Sequence, residues 1–198
     1  MMRLHPRRGR GDRGAALVEM ALVSPIVFLV TFAIIEGGLW FKDYLTVGYA
    51  TRNGARAAIA QDADSLADWD ILRAVDKGLN ALNRGDLELV VIFKADGFDD
   101  EPSASCMGGV GTSHLSDPAN ACNVYFPADL ERSYDDFRSD SYPNRQNWPG
   151  ELRDITETGG TDYVGVYVRA HHQMITGIYG DSRKIEDTSV MRIEPKLS

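Results

Sequence analysis

Two cysteines, four histidines and three tryptophans in 198 residues leave little from which to build a redox centre or a histidine-rich metal site. Cys106 and Cys122 stand too far apart for a CxxC pair, so structural zinc and thioredoxin-like redox chemistry have poor support. HExxH, GxSxG and P-loop sequences are missing too, and no nucleophile stands with a recognisable base. No cofactor is implied, and an enzyme is not the expectation. Basic charge is scarce beyond the N-terminus. Lys and Arg total 21 against 29 Asp and Glu for a net charge of -8, and residues 1–14 hold Arg3, Arg7, Arg8, Arg10 and Arg13 against Asp12, leaving the remainder near -12. Nucleic acid is not the expected partner of such a body.

Charge of either sign is absent between Met20 and Ile35, and widening the window to Ala15–Phe41 admits only Glu19 and Glu36. About 20 mostly apolar residues suffice to cross a bilayer core, so residues 15–41 read as a transmembrane helix. The arginine-rich leader, residues 1–14, has too little apolar content to order itself and fits the cytoplasmic side under the positive-inside bias. The rest of the chain is then extracytoplasmic, where an oxidising compartment favours a Cys106–Cys122 disulfide. A signal peptide would show a shorter apolar core and a small-residue cleavage site. An uncleaved signal anchor remains the plain alternative.

The early acid is the informative residue. Gly14 follows the basic leader directly, and Glu19 stands five residues beyond it. An ionisable group in an apolar span is costly and usually has a partner or a function. This pattern resembles the type IV prepilin processing motif, in which a membrane aspartyl prepilin peptidase cuts after the glycine. The cut would fall between Gly14 and Ala15, and Glu19 could neutralise the new Ala15 amine of a neighbouring subunit. The other reading of Glu19 is an acid close enough to the interface to reach headgroups and water.

The wider run, RGAALVEMALVSPIVFLVTFAIIEGG followed by a small-residue segment ending in NGARAA, resembles the TadE-like family of tight-adherence (Tad) pilus proteins over residues 13–60. Met20 stands where processed members commonly carry an aromatic. The resemblance implies a pseudopilin or minor pilin: an N-terminal helix, an extracytoplasmic domain, pilins and pseudopilins as partners, the Tad inner-membrane assembly machinery, membrane lipid, and residence in the bacterial inner membrane or the pilus. A membrane-tethered binding or sensing domain is the competing function.

Downstream, residues 42–61 read as a stalk continuation of the helix. Tyr44, Val47, Thr51, Ala55 and Ala58 fall on one face, crowded by Gly48, Ala50, Gly54 and Ala57. The small side chains suit close packing on another subunit or on the chain's own domain. Ser65 to Asp68 resembles a capping box, and Leu66, Trp69, Leu72, Val75, Leu79 and Leu82 trace a second helix over about 66–83. Leu87–Lys94, Asn123–Phe126, Tyr163–Ala170 and Lys184–Glu194 read as strands. The fold class is thus α+β and pilin-like: a long N-terminal helix, a second helix, and an antiparallel sheet of three or four strands. Within residues 62–198, the proline-rich stretch 96–161 is the irregular insertion, with Tyr134, Phe137, Tyr142 and Trp148 as pinning side chains. Asp96, Asp99, Asp100 and Glu101 form its densest acid cluster, read as a solvated loop with calcium as the sharper alternative. Asp135, Asp136 and Asp140 carry less weight. His171 and His172 point to opposite faces of a strand, so they do not pair on one metal. His5 lies in the leader and His114 between the cysteines.

Overall fold

The computed structural model describes residues 10–61, 64–138, 146–155, 160–177 and 180–194, with side chains from residue 14 onward. It divides into two units, residues 1–40 and 41–198. One helix, α1 (Arg10–Ala60), runs through the boundary, and Pro25 lies inside it without ending it. A membrane helix tolerates the hydrogen bond that proline removes, because neighbouring groups can satisfy the freed carbonyl.

In the first unit, α1 presents apolar side chains outward. Leu17, Met20, Leu22, Ile26, Phe28, Phe32 and Ile34 are all exposed, and they sample every direction around the helix axis.

The second unit is α+β. After α1 come α2 (Ala67–Gly78), β1 (Leu87–Ala95), α3 (Ala104–Met107), β2 (Cys122–Tyr125), α4 (Tyr134–Arg138), β3 (Tyr163–Gln173) and β4 (Ser182–Arg192). The strands form one sheet in the order β2-β1-β3-β4, and every neighbouring pair is antiparallel. Val90, Ile92, Tyr125, Val164, Val166, Val168 and Ala170 join one core with Val47, Ala50, Ala55 and Ala58 of α1 and with Ile71, Leu72 and Val75 of α2. Leu89, Val91, Phe93 and Ala95 point the other way, into a second cluster with Cys106, Cys122, Val124 and Tyr167. β1 is therefore buried on both faces, which explains its nearly continuous apolar run. A register shift between Leu87 and Leu89 lets Leu87 join the first cluster despite its odd-numbered place.

The small-residue face of α1 is used inside this unit. A Cβ on Gly54 would lie 2.6 Å from Val75 Cγ2 and 3.1 Å from Val166 Cγ1, and one on Gly78 would lie 2.6 Å from the Ala50 Cα. These glycines let α1, α2 and β3 approach at backbone distance. Tyr44 departs from the expected face: it is 42% exposed, while Val47, Thr51, Ala55 and Ala58 are buried.

Two expectations for α2 need correction. The helix ends at Gly78, five residues before the expected limit; Leu79 and Leu82 enter the core from a turn instead. Its N-terminus has no capping box, because Leu66 is the N-cap and no side chain caps it. Asp64 Oδ1 accepts from Leu66 N at 3.1 Å and from Ser65 Oγ at 3.3 Å, while Asp68 is turned into the interior. The helix buries Ala67, Asp68, Ile71, Leu72, Val75 and Gly78, and the expected stripe faces the same core: Leu72, Val75, Leu79 and Leu82 are buried in it, with Leu66 and Trp69 packed against it.

Candidate assembly surface and the polar centres of the domain

Gly14, Ala15 and Glu19 are all helical and exposed. Ala15 and Glu19 are four residues apart, so they lie on the same side of α1, one turn from each other. Glu19 is the sole charged side chain from Gly14 to Ile35, on a helix whose other large side chains in that span are apolar and outward. A helix apolar all round has to be covered by hydrocarbon or by other protein.

The domain holds a buried ionic hub that the sequence reading missed. Arg153 Nη2 donates to Asp68 Oδ1, with both side chains 3% exposed. Asp68 Oδ2 accepts from Tyr125 OH at 2.5 Å and from Asn123 Nδ2 at 2.7 Å. Asn123 also bridges to Trp148, donating to its carbonyl at 2.8 Å and accepting from its backbone N at 2.8 Å. The Arg153 guanidinium lies over the Trp148 ring, 4.5 Å from its centroid. Four parts of the chain, α2, β2 and the segments around 148 and 153, are thus tied by one carboxylate. The signal was present: Asp68 precedes Ile71 and Leu72 by three and four residues, a core-facing helical place where an acid needs a cation.

The opposite face of the sheet carries a partly exposed network centred on Arg169. Arg169 Nε donates to Tyr167 OH at 3.0 Å and Glu186 Oε1 at 2.9 Å, and Nη1 donates to Glu88 Oε1 at 3.2 Å and the Met107 carbonyl at 2.8 Å. Tyr167 OH donates to Glu186, and Lys184 Nζ lies 2.9 Å from Glu186 Oε2. Burial alone would raise the Glu186 carboxyl, but the hydrogen bonds from Tyr167, Lys184 and Arg169 outweigh it and bring it to about 2. Burial is likewise overcome at Glu88, where His171 and Arg169 hold the carboxyl below its ordinary value. Tyr167 is pushed above the ordinary phenol range by burial and by its bond to Glu186.

The two adjacent histidines do point apart. His171 Nε2 lies 2.8 Å from Glu88 Oε2, whereas His172, 5% exposed, places Nδ1 at 2.7 Å from Asp43 Oδ2 on α1. Thr51 Oγ1 donates to Asp187, a second polar tie between α1 and the sheet. Among the described residues no three His, Cys, Asp or Glu side chains gather as a metal site. Asp100 is occupied with its own loop, accepting from Asp96 N at 2.9 Å and Glu101 N at 3.0 Å. Cys106 and Cys122 form a disulfide that holds α3 against β2. Of the expected pinning residues, Phe137 and Trp148 are buried and Tyr134 is exposed, meeting Trp69 edge-on at 5.9 Å. Tyr142, Asp140 and His5 lie outside the described residues.

Among the described residues one helix, near the N-terminus, is long and apolar enough to cross a membrane, which fits a membrane anchor ahead of the disulfide-bonded α+β domain. Residues 14–56 match the family model described as TadE-like protein, the family that residues 13–60 resemble. No curated protein and no solved structure matches the chain.

Proposed function

We propose that the chain is a structural, non-enzymatic subunit of a Tad pilus, a TadE-like minor pilin or pseudopilin. Residues 15–41 span the inner membrane, the leader 1–14 is cytoplasmic, and the domain lies outside, where its disulfide is stable. A prepilin peptidase cuts between Gly14 and Ala15. Glu19 then meets the Ala15 amine of a neighbouring pilin or pseudopilin as the assembly machinery draws the helix from lipid into protein contacts.

The observation that carries this reading is the outward apolar helix from Gly14 to Ile35, with Glu19 as the lone charge of that span, inside the stretch matched as TadE-like. A soluble domain would cover such a helix, and a simple tether would have no use for the acid. Mass spectrometry of the native protein should find Ala15 as the N-terminal residue, and Gly14→Ala should leave the leader attached. An intact leader in a peptidase-competent strain would overturn the processing step.

A further inference from the structure

Two exposed features of the second unit differ from each other and are complementary. The first is the outward strip of α1. Leu45, Tyr49, Arg52 and Arg56 recur at four, three and four residues, on the side of the helix away from the buried Val47, Thr51, Gly54 and Ala58. Leu45 is 54% and Tyr49 60% exposed. Arg52 and Arg56 pair with no acid among the described residues, on a unit where acids outnumber bases. The second feature is the loop after β1. Asp96, Asp99 and Glu101 are exposed there, and their carboxylates bond no described residue. Phe98, set among them, is 64% exposed, with one edge of its ring against Tyr163 at 5.1 Å.

The sheet register keeps the two apart within one chain. Val166 of β3 lies beside Gly54, and β3 runs from there toward Asp43, which His172 meets. Ala95 pairs with Tyr163, three residues from Val166 in the opposite direction. At about 3.3 Å per residue the loop therefore begins roughly 10 Å beyond the level of Arg52 and Arg56. A second copy standing the same way up, shifted by about that distance along α1, would bring its loop level with the strip. An aromatic ring among acids then meets an apolar strip continued by two cations, so both the charges and the apolar surfaces match.

We propose that the outward strip Leu45–Arg56 of one copy receives the 96–101 loop of a second copy, with Phe98 against Leu45 and Tyr49 and the free carboxylates on Arg52 and Arg56. Strip and loop are different surfaces, so each contact leaves one of each unoccupied and repeats head to tail instead of closing a pair. The inference rests on the subunit reading above and adds a contact between domains to the one made at Glu19.

The test is disulfide crosslinking in cells whose only copy of the full-length protein carries both Tyr49→Cys and Phe98→Cys. The two native cysteines are paired and will not compete. After mild oxidation with copper phenanthroline, non-reducing immunoblots of membranes and of sheared pili should show a ladder of multiples of this chain, at least several-fold stronger than either single variant gives. Adding Arg52→Glu and Arg56→Glu should weaken the ladder several-fold, and adding Asp99→Arg and Glu101→Arg as well should restore it. No ladder, although the protein is present in the sheared pili, overturns the inference alone. A ladder indifferent to charge reversal also overturns it, as does capture of position 49 by a different protein. Absence of the protein from pili that form normally without it overturns the subunit reading itself.

Discussion

Replacing Asp68 by alanine removes the one carboxylate that serves Arg153, Asn123 and Tyr125 together. Both members of the ion pair are 3% exposed, so water cannot enter to replace the lost partner. Breaking such a pair from one side costs about 3–5 kcal/mol. A domain of this size has only about 5–15 kcal/mol to lose. Arg153→Met keeps the stem packed over Trp148 but leaves Asp68 with two neutral donors, and should fall at the low end of the same range. The double variant should cost less than the two singles added, since removing both charges leaves neither stranded. Urea unfolding of the full-length protein in detergent, with the disulfide intact and tryptophan fluorescence as the signal, measures all three. Single variants that lose under about 1 kcal/mol, the value of an exposed pair, would refute the reasoning. So would a double variant whose cost equals the sum.

The remaining predictions use the same unfolding assay or a variant of it. Gly78→Ala forces a methyl against the Ala50 backbone and should destabilise by about 1–3 kcal/mol, whereas Gly85→Ala, with nothing within 4 Å, should not. Reducing the Cys106–Cys122 disulfide should cost about 3 kcal/mol for a loop of this length and free α3 from β2. The folded Glu186 carboxyl lies at about 2, below the ordinary 4.5, so the stability it contributes is complete above the ordinary value and is lost as pH falls toward 2. Acid unfolding followed by circular dichroism should therefore be less steep in that window for Glu186→Gln; an unchanged slope would contradict the assignment.

Much of the fold was legible because its signals are local. The uncharged run from Met20 to Ile35 announces the long helix, and the alternation Val164, Val166, Val168, Ala170 sets both the existence and the inward face of β3. The small residues at Ala50, Gly54, Ala55 and Ala58 were read correctly as a close-packing face, but only the folded chain shows that α2 and β3 occupy it. The errors arose where a distant partner decided the outcome. Asp68 has the spacing of a capping acid, and what draws it inward is Arg153, on the far side of an irregular insertion. Tyr44 fits the period of the α1 face but stays exposed. The Arg169 network joins β1, α3, β3 and β4, and no periodicity within any one of them encodes it.

The helix surface around Glu19 carries the central claim, and the most direct measurement replaces that residue in the cell. A strain whose only copy is Glu19→Ala should keep the protein in the membrane at its normal level, by fractionation and immunoblot, while pili counted by electron microscopy are lost. Unchanged pilus numbers with that variant present in the membrane would contradict the account and leave a tethered domain that takes no part in the filament.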